Sequence, residues 1–465
     1  MTHRSGHVRD WLLVVAMTAV ARPVAVLVGA AALVAFAVLR DWVPFVWIGL
    51  PVLVFTLVDL VTHRPRPPGR PVRPAEEPEL STLVRQVAER VAFRVPLAVR
   101  IVPEPDVGVQ RTRAGTATVF LGLPLVRGLT TAELAVVVAR EFVFRQHTAD
   151  RRTALLLWAR DSLVESLDDR LRAPAPLVER LLRASRTYTW PLARAADAGA
   201  AAVVGTPATR GALTRLATIT ATFHLLTDVW TQVLGEDGYP EDLYDALDAA
   251  LADPYVASRV GTIDDDDDPM SAAVEPPLGI RLTELPDHPA YGWEETAPVP
   301  LHNADTLTRW CVRDLTGADE PRSDVRLLDL PPGRLDARLR ETAARLAEAM
   351  GQDSAREAVR AAADAVADGT WPGLARAVDP GIGKLAPPLR ASAGRDVLVG
   401  ALTIMVGAAL LDSGWTRASR WTVSALIDPT GELVDTEELL EQAVDGGDPA
   451  RLRALLRHVP GPAAR

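Results

Sequence analysis

The stretch TTAELAVVVAREFVFRQH, residues 130–147, decides the fold of the region around it, because it has a well-defined helix start and a strongly apolar body. Thr130 and Glu133 match a capping box, in which each side chain accepts the other residue's backbone N–H at the first turn of a helix. Apolar residues then recur at helical spacing, which predicts a helix from residue 131 to about residue 146.

The segments on either side of this helix extend the pattern. Residues 78–93 have apolar residues at helical spacing, and residues 97–102 and 116–121 are strand-like runs separated by turn-rich sequence. Much of the sequence from there to about residue 251 is helical in pattern. We therefore expect a domain over residues 78–320 that is mainly α with a small β-sheet, which is an α+β fold.

Composition limits the possible functions. The chain has 465 residues, of which 48% are hydrophobic, so it is long enough for two or three domains with their own cores. Its net charge of -10 argues against nucleic acid as a partner. The single cysteine, Cys311, excludes an internal disulfide and a cysteine-based zinc cluster. The one pair of histidines four residues apart, His3 and His7, lies at the N-terminus, outside the helix at 130–147.

Residues 1–62 contain two long apolar runs, from Pro23 to Leu39 and from Trp42 to about Leu60. Each approaches the roughly 20 residues that cross a bilayer, and the tight Arg40–Asp41 connection predicts a transmembrane helical hairpin. Arginines are concentrated outside the hairpin on both sides, so the positive-inside rule places both ends in the cytoplasm. We expect a multi-pass protein of the cell (inner) membrane whose soluble domains are cytoplasmic.

A cleavable signal peptide is the competing interpretation of the N-terminus. No small-residue cleavage site follows the first run, and the second run begins almost at once, which favours the hairpin. Residues 63–77 are rich in proline and arginine, and this composition predicts an extended linker along the anionic inner leaflet.

Residues 264–268 are five consecutive aspartates. A solvated loop is favoured over a calcium site, because an EF-hand requires alternating ligands, a glycine and a terminal glutamate.

A second domain is expected over residues 330–465. Residues 334–350 and 354–368 have amphipathic helical patterns, and residues 420–434 have the pattern of a β-hairpin. Residues 397–411 are fifteen apolar residues, which are short for a membrane span and suit a buried helix; a third membrane crossing is the alternative. The pattern predicts a small α+β domain without recognisable catalytic motifs.

Four segments occur in an order that matches one known family. They are VPLAVRIVPEPD at 95–106, TATVFLGLPLVRGLTTAELAVVVAREFVFRQH at 116–147, WPLARAADAGAAAVVG at 190–205 and EPPLGIRLTEL at 275–285. In this order the chain resembles the HtpX-type membrane zinc metallopeptidases, which are related to the CAAX prenyl protease and belong to the gluzincins. The family shows a strand, a segment like LGLPLL..LS..EL.AVLAHELGHV.H, an E..AD helix and an HPPL..R...L segment. The resemblance covers roughly residues 78–315 and includes the position of the N-terminal hairpin.

The resemblance implies a zincin-like domain, but the zinc ligands of the family are missing. Arg140 and Phe144 stand at the two histidine positions of the HExxH motif, and Glu141 keeps the position of the general base. Asp197 matches the aspartate of the E..AD helix, which puts the third ligand position at Ala193. A guanidinium, a phenyl ring and a methyl group cannot ligate Zn²⁺. We therefore predict a degenerate family member without a metal or another cofactor, although the family itself implies zinc.

The residues at the ligand positions suggest what has replaced the zinc site. An ion pair between Arg140 and Asp197 of the following helix would compensate the buried charge, and Phe144 would fill the space of the metal. The alternative is that Glu141 is a remaining helix residue without a role. His147 lies nearly two-thirds of a turn away from the face of Glu141, so it cannot complete a compact metal site with it, and a surface histidine is favoured.

Three functions are compatible with these observations. The first is a membrane-anchored, catalytically inactive metallopeptidase homologue that acts by protein or peptide binding or by regulation. The second is an active membrane zinc metalloendopeptidase with ligands that the motifs do not reveal, and the third is a structural scaffold. Residue chemistry favours the first, because imidazole or carboxylate ligands are indispensable for a zinc site. The expected partners are the membrane and a protein or peptide, and not nucleic acid.

Overall fold

The computed structural model describes residues 3–21, 68–111, 115–165, 175–229, 239–256, 273–293, 297–316, 326–385 and 387–457. Within these ranges the chain is mainly helical with two small sheets, which agrees with the expected α+β class. The apolar runs of the predicted membrane hairpin and the five aspartates at 264–268 lie outside the described residues. Helices and strands are numbered below in chain order among the described residues.

The first sheet has four strands in the order β1-β2-β4-β3. β2 and β4 are parallel, whereas β1 is antiparallel to β2 and β3 is antiparallel to β4. The strands are β1 Arg70–Val72, β2 Leu97–Val102, β3 Val107–Arg111 and β4 Ala117–Gly122. β4 is a central strand and mostly buried, so it anchors the sheet in the core.

The two predicted strands are present, but the sequence missed both edge strands. Residues 70–72 of the predicted linker pair with β2, and the Arg100 guanidinium in β2 donates to the carbonyl of Pro68 at 2.8 Å. Residues 107–111, which the turn-rich pattern assigned to a connection, form a hairpin with β4. Short edge strands with proline or glycine have little strand propensity of their own, and pairing with a central strand determines them.

Helices make up most of the described part of the first unit, the domain expected over residues 78–320. They are α2 Pro78–Arg90, α3 Leu123–Gly128, α4 Thr131–His147, α5 Arg151–Glu165, α6 Ala175–Val204, α7 Thr206–Val229, α8 Leu243–Leu251, α9 Leu278–Thr283 and α10 Ala304–Thr316. α4 is the central helix, since it contacts β3, α2, α6 and α7. Its residues 134–140 are all buried.

The predicted start of α4 is confirmed. The backbone N–H of Glu133 donates to the Thr130 hydroxyl at 3.2 Å, and the backbone N–H of Thr130 donates to the Glu133 carboxylate at 2.9 Å. This capping box satisfies N–H groups that a helix start otherwise leaves unpaired. It fixes the register of the helix that presents the residues of the site.

One further helix, α1 His3–Ala21, packs against α5 and α6. Val14 and Met17 of α1 are buried in a small core with Leu156 of α5 and Leu182 of α6. The N-terminal helix is thus attached to the body of the first unit.

The second unit has its own hydrophobic core. Its elements are α11 Pro332–Ala349, α12 Ala355–Ala367, α13 Pro372–Val378, a 3₁₀ helix Pro380–Lys384, α14 Pro387–Leu411, β5 Thr416–Arg417, β6 Ala425–Ile427, β7 Leu433–Asp435, α15 Thr436–Gly446 and α16 Ala450–Arg457. β5, β6 and β7 form an antiparallel sheet in this order. The predicted hairpin is present, although its first strand begins at Ala425, five residues later than expected.

The apolar run at 397–411 is part of α14, which is surrounded by α11, α12, α13 and α15. Within the described ranges, the stretch Leu389–Leu411 is the one helical segment long and apolar enough to cross a membrane. In its most apolar window, 72% is buried inside the structure. Protein therefore covers most of its apolar surface.

Candidate functional site

The residues at the predicted site lie on two packed helices. Arg140 and Phe144 are one turn apart on α4, and Ala193 and Asp197 are one turn apart on α6. Residues four apart share a helix face, so each helix contributes one pair of positions to the same region. α4 and α6 pack against each other, and Ala193 is fully buried.

Gly199 makes this close packing of α4 and α6 possible. A Cβ atom at this position would lie 2.8 Å from each of the two Cγ atoms of Val143. Such a distance is far below van der Waals contact, so any larger residue would push the two helices apart. The glycine therefore sets the distance across which Arg140 reaches Asp197.

The ion pair suggested by the sequence between Arg140 and Asp197 is present and belongs to a larger network. Arg140 Nε donates to Asp197 Oδ1 at 2.8 Å, and Arg281 Nε donates to Asp197 Oδ2, also at 2.8 Å. Glu275 accepts from Arg140 Nη2 through one oxygen and from Arg281 Nη1 through the other. The four side chains close into a ring of alternating charge, which we call the charge ring (Arg140, Asp197, Arg281 and Glu275).

The charge ring is buried on three of its four corners. Arg140, Asp197 and Arg281 are 6%, 3% and 8% exposed, whereas the Glu275 side chain is 40% exposed. Burial lowers the pKa of Arg140, but the carboxylates of Glu275, Asp197 and Glu141 more than offset this effect, so its pKa is raised. Arg140 is therefore a permanent cation, held in a low-dielectric site by carboxylates.

Glu141 lies beside the charge ring. Its Oε1 accepts a hydrogen bond of 3.2 Å from Arg140 Nη1. The pKa of Glu141 is raised to about 7, chiefly by burial; Arg140 opposes this rise and Glu275 adds to it. The ring already balances two cations with two anions, so ionisation of Glu141 adds an uncompensated buried charge.

These residues do not fit a zinc ion. Arg140, Phe144 and Ala193, which stand at the ligand positions implied by the resemblance, have no atom that ligates Zn²⁺. Among the described residues, no group of three or more His, Cys, Asp or Glu side chains is arranged to hold a metal ion. Phe144 is partly exposed, and His147 is an exposed residue at the end of α4.

A groove between α6 and α7 adjoins the charge ring, and we call it the α6–α7 groove. It has a volume of about 460 Å³. Glu275 and Arg281 line it and are also members of the ring. The apolar part of its lining comes mainly from Trp190, Leu213, Leu216, Pro276, Pro277 and Leu278.

Trp190 gives the groove one donor that a ligand could use. The indole Nε1 of Trp190 is buried and has no hydrogen-bond partner among the described residues, and the Arg186 guanidinium stacks on the same ring at 5.2 Å. His224 is exposed and lies on the lining. The groove thus combines apolar walls with a small number of polar contacts, as ligand sites usually do.

The sequence identified half of the charge ring. It named Arg140 and Asp197, but it assigned no role to Glu275 or Arg281, which lie more than 70 residues beyond Asp197. A signal was present in the segment EPPLGIRLTEL at 275–285. Glu275 stands there at the histidine of the family's HPPL..R...L pattern, and Arg281 matches its arginine.

Comparison of the chain with protein-family models, with curated proteins and with solved structures found no match. The resemblance to HtpX-type peptidases therefore rests on the ordered sequence segments alone. The function has to be inferred from the charge ring and the α6–α7 groove.

Proposed function

We propose that this chain is a membrane-tethered homologue of HtpX-type peptidases that binds a protein or peptide segment and does not hydrolyse it. The observation that carries the proposal is the charge ring, which includes Arg140, the residue at the first zinc-ligand position that the resemblance implies. Arg140 supplies a fixed positive charge there, and Asp197 and Glu275 neutralise it.

The absence of hydrolysis follows from the chemistry of this cation. A zincin needs a Lewis acid with an open coordination position that activates a water molecule. The Arg140 nitrogens donate to Asp197, Glu141 and Glu275, so the guanidinium is already engaged. A guanidinium also cannot lower the pKa of water as a bound metal does.

Binding is supported by the groove beside the ring. Its volume of about 460 Å³ lies within the roughly 300–1,000 Å³ typical of ligand pockets. An extended peptide would place apolar side chains against Leu213, Leu216 and Pro277, and a carbonyl of the peptide would accept the Trp190 N–H. Glu275 would attract a donor or a basic side chain to the end of the groove.

Membrane tethering is supported by the surface around α1. Trp11, Leu12 and Val15 of α1 and Leu155 and Trp158 of α5 are large apolar residues that are exposed to solvent. α1 directly precedes the predicted membrane hairpin in the chain. We propose that this apolar surface lies against the lipid interface, where exposed tryptophan and leucine side chains are stabilised.

Site-specific photo-crosslinking in native membranes tests the binding role. A benzophenone amino acid at Leu216 in the groove is compared with one at Leu433, an exposed apolar residue of the second unit. We expect a defined protein adduct from position 216 that Trp190→Ala reduces and that position 433 does not give. The same adducts from both positions, or no change with Trp190→Ala, would contradict binding in the groove.

Peptide hydrolysis distinguishes the proposal from an active metallopeptidase. Purified full-length protein is expected to leave casein intact, with or without added zinc. Hydrolysis that a chelator blocks and that Glu141→Gln abolishes would support the enzyme instead, because Glu141 keeps the general-base position of the family. Hydrolysis that Glu141→Gln leaves unchanged would identify a contaminating protease.

A further inference from the structure

A second cavity lies between the two units, and most of its lining residues follow those of the charge ring in the sequence. It has a volume of about 440 Å³, and we call it the Arg417 pocket. Its apolar walls include Leu226 of α7, Leu327 and Leu330 of the connection, Leu411 of α14, and Trp415 and Trp421. Both units thus contribute to one apolar cavity of the size of small-molecule sites.

Arg417 is a buried charged residue in the lining of this pocket. Its side chain is only 9% exposed, and within the described residues none of its three guanidinium nitrogens has a hydrogen-bond partner. Nη2 lies 2.7 Å from Asp336 Oδ1, which makes an ion pair, yet neither atom is in hydrogen-bonding geometry. Burying hydrogen-bond donors that have no acceptor costs free energy, so an additional acceptor beside the guanidinium would be stabilising.

Arg420, a neighbour that also lines the pocket, shows the contrast. Its guanidinium donates to the backbone carbonyls of Leu327 at 2.7 Å, Leu328 at 3.2 Å and Leu330 at 3.3 Å. The donors of Arg420 are thus used to hold the connection between the units. Within the described residues Arg417 makes no such hydrogen bond, and its ion-pair partner is Asp336.

The charges around Arg417 favour an anion. Burial lowers the pKa of Arg417, Asp336 raises it, and the nearby cation Arg340 lowers it again. Arg340 is itself paired with Asp412 at 2.7 Å. An anionic group placed against Arg417 would relieve both the burial penalty and the repulsion between the two arginines.

We propose that the Arg417 pocket binds a small organic carboxylate with an apolar body. The two carboxylate oxygens match the parallel donors of one guanidinium, and the apolar body would be buried against the leucines and tryptophans of the walls. A monoanion is favoured over a phosphate dianion, since Asp336 would repel the dianion more strongly. This site is independent of the function proposed for the α6–α7 groove.

Calorimetric titration of the purified full-length chain tests the proposal, with protein-free detergent buffer as the blank. The probes are 4-phenylbutyrate and its uncharged amide, 4-phenylbutyramide, which have the same apolar body. We expect the carboxylate to bind with a Kd on the order of 1 mM or tighter and the amide to bind at least about tenfold more weakly. Equal affinity of the two probes, or no binding of either, would overturn the proposal.

Variants locate the binding to Arg417. Arg417→Met should lose at least about tenfold in affinity for 4-phenylbutyrate, and Arg417→Lys should lose less, because it keeps the charge but not the planar fork. Asp336→Asn should strengthen binding severalfold, since it removes the competing carboxylate. Arg453→Gln, which removes an exposed arginine paired with Asp364 in the same unit, should leave affinity unchanged.

Circular dichroism of each variant shows whether it is folded. If Arg417→Met does not fold, Arg417→Lys and Asp336→Asn carry the test by themselves. Unchanged affinity in Arg417→Lys together with weaker binding in Asp336→Asn would place the carboxylate elsewhere and contradict the proposal.

Discussion

Arg140 carries a permanent charge at a position where the surrounding helix is otherwise apolar and buried. Such a residue is stable only when carboxylates reach it, and Asp197 and Glu275 do so from outside its own helix. Arg281 completes the balance, because it pairs with the same two carboxylates. The geometry resembles a metal site in that several side chains converge on one cation, but the cation is part of the chain.

The first prediction concerns Arg140 itself. Arg140→Met leaves Asp197 and Glu275 with a single arginine, so we expect the free energy of unfolding to fall by roughly 3–5 kcal/mol. The matched control is Arg194→Gln, since Arg194 on α6 is also paired with a carboxylate, that of Glu284 at 2.6 Å, but both side chains are well exposed. Its expected effect is below about 1 kcal/mol. Chemical denaturation measures both variants. A similar loss of stability in the two would contradict a stabilising role of the charge ring.

Glu141 gives a prediction that depends on pH. Its pKa is about 7 in the folded chain and 4.5 as the ordinary value, so the folded state keeps a proton that the unfolded state loses between these pH values. The contribution of Glu141 to stability is therefore present below about pH 4.5 and is lost as the pH rises through about 7. The shift corresponds to about 3 kcal/mol at most.

Glu141→Gln should remove this pH dependence. The variant is expected to gain stability relative to the unmodified chain at pH 8 and to gain little at pH 5. Denaturation curves at the two pH values measure the difference. A stability difference that is the same at both would show that Glu141 is ionised throughout this range.

The sequence showed that Arg140 is a cation in an apolar helix, but it indicated only one of its partners, Asp197. The Arg140–Asp197 pair was accessible because both residues lie in segments with a recognisable helical pattern. Glu275 and Arg281 were not assigned, because the path of the chain between residues 229 and 273 has no pattern that fixes where the later segment returns. Long-range contacts of this kind depend on the tertiary fold.

At the scale of elements, the close contact of α4 and α6 is the feature on which the site depends. Gly199→Ala would gain up to about 1 kcal/mol of helix propensity but would place a methyl group 2.8 Å from the Val143 side chain. Overpacking costs of this kind are about 1–3 kcal/mol, so we expect a net loss of stability. The melting temperature measures it.

A second substitution separates packing from other causes. Val143→Ala makes room for the added methyl group, so Gly199→Ala should be better tolerated in that background than in the original one. A double-mutant cycle with no coupling between the two positions would contradict the close approach of α4 and α6.

Long elements with a regular sequence pattern could be predicted, whereas short ones could not. α4 was predicted with its start and nearly its end, because the capping box and the apolar spacing agree. β1 and β3 were missed because each is short and takes its conformation from a neighbouring strand. The expected linker at 63–77 is also wrong in part, since residues 70–72 (β1) belong to the folded sheet.

At the scale of the whole molecule, two cores meet through specific polar contacts. Tyr255 of the first unit donates to Asp435 of the second at 2.8 Å, and Ser419 of the second donates to Asp253 of the first at 2.9 Å. The Arg417 pocket lies at this junction, whereas the α6–α7 groove lies within the first unit. The sequence predicted two units, but neither cavity, because each is lined by segments that are far apart in the chain.

Restoring the ligands gives a prediction for the whole site. Arg140→His, Phe144→His and Ala193→Glu together place two imidazoles and a carboxylate on the packed faces of α4 and α6. We expect this triple variant to bind about one zinc ion per chain, provided that circular dichroism shows it to be folded. A folded triple variant that binds no zinc would mean that the alignment with the zincin motif is wrong.

The zinc content of the purified, unmodified full-length chain tests the central claim most directly. Elemental analysis, after equilibration with zinc and removal of the excess, is expected to find far less than one zinc ion per chain, because the charge ring already holds a cation at the site. A stoichiometric zinc ion in the folded, unmodified chain would contradict this account and would restore the active metallopeptidase as the better explanation.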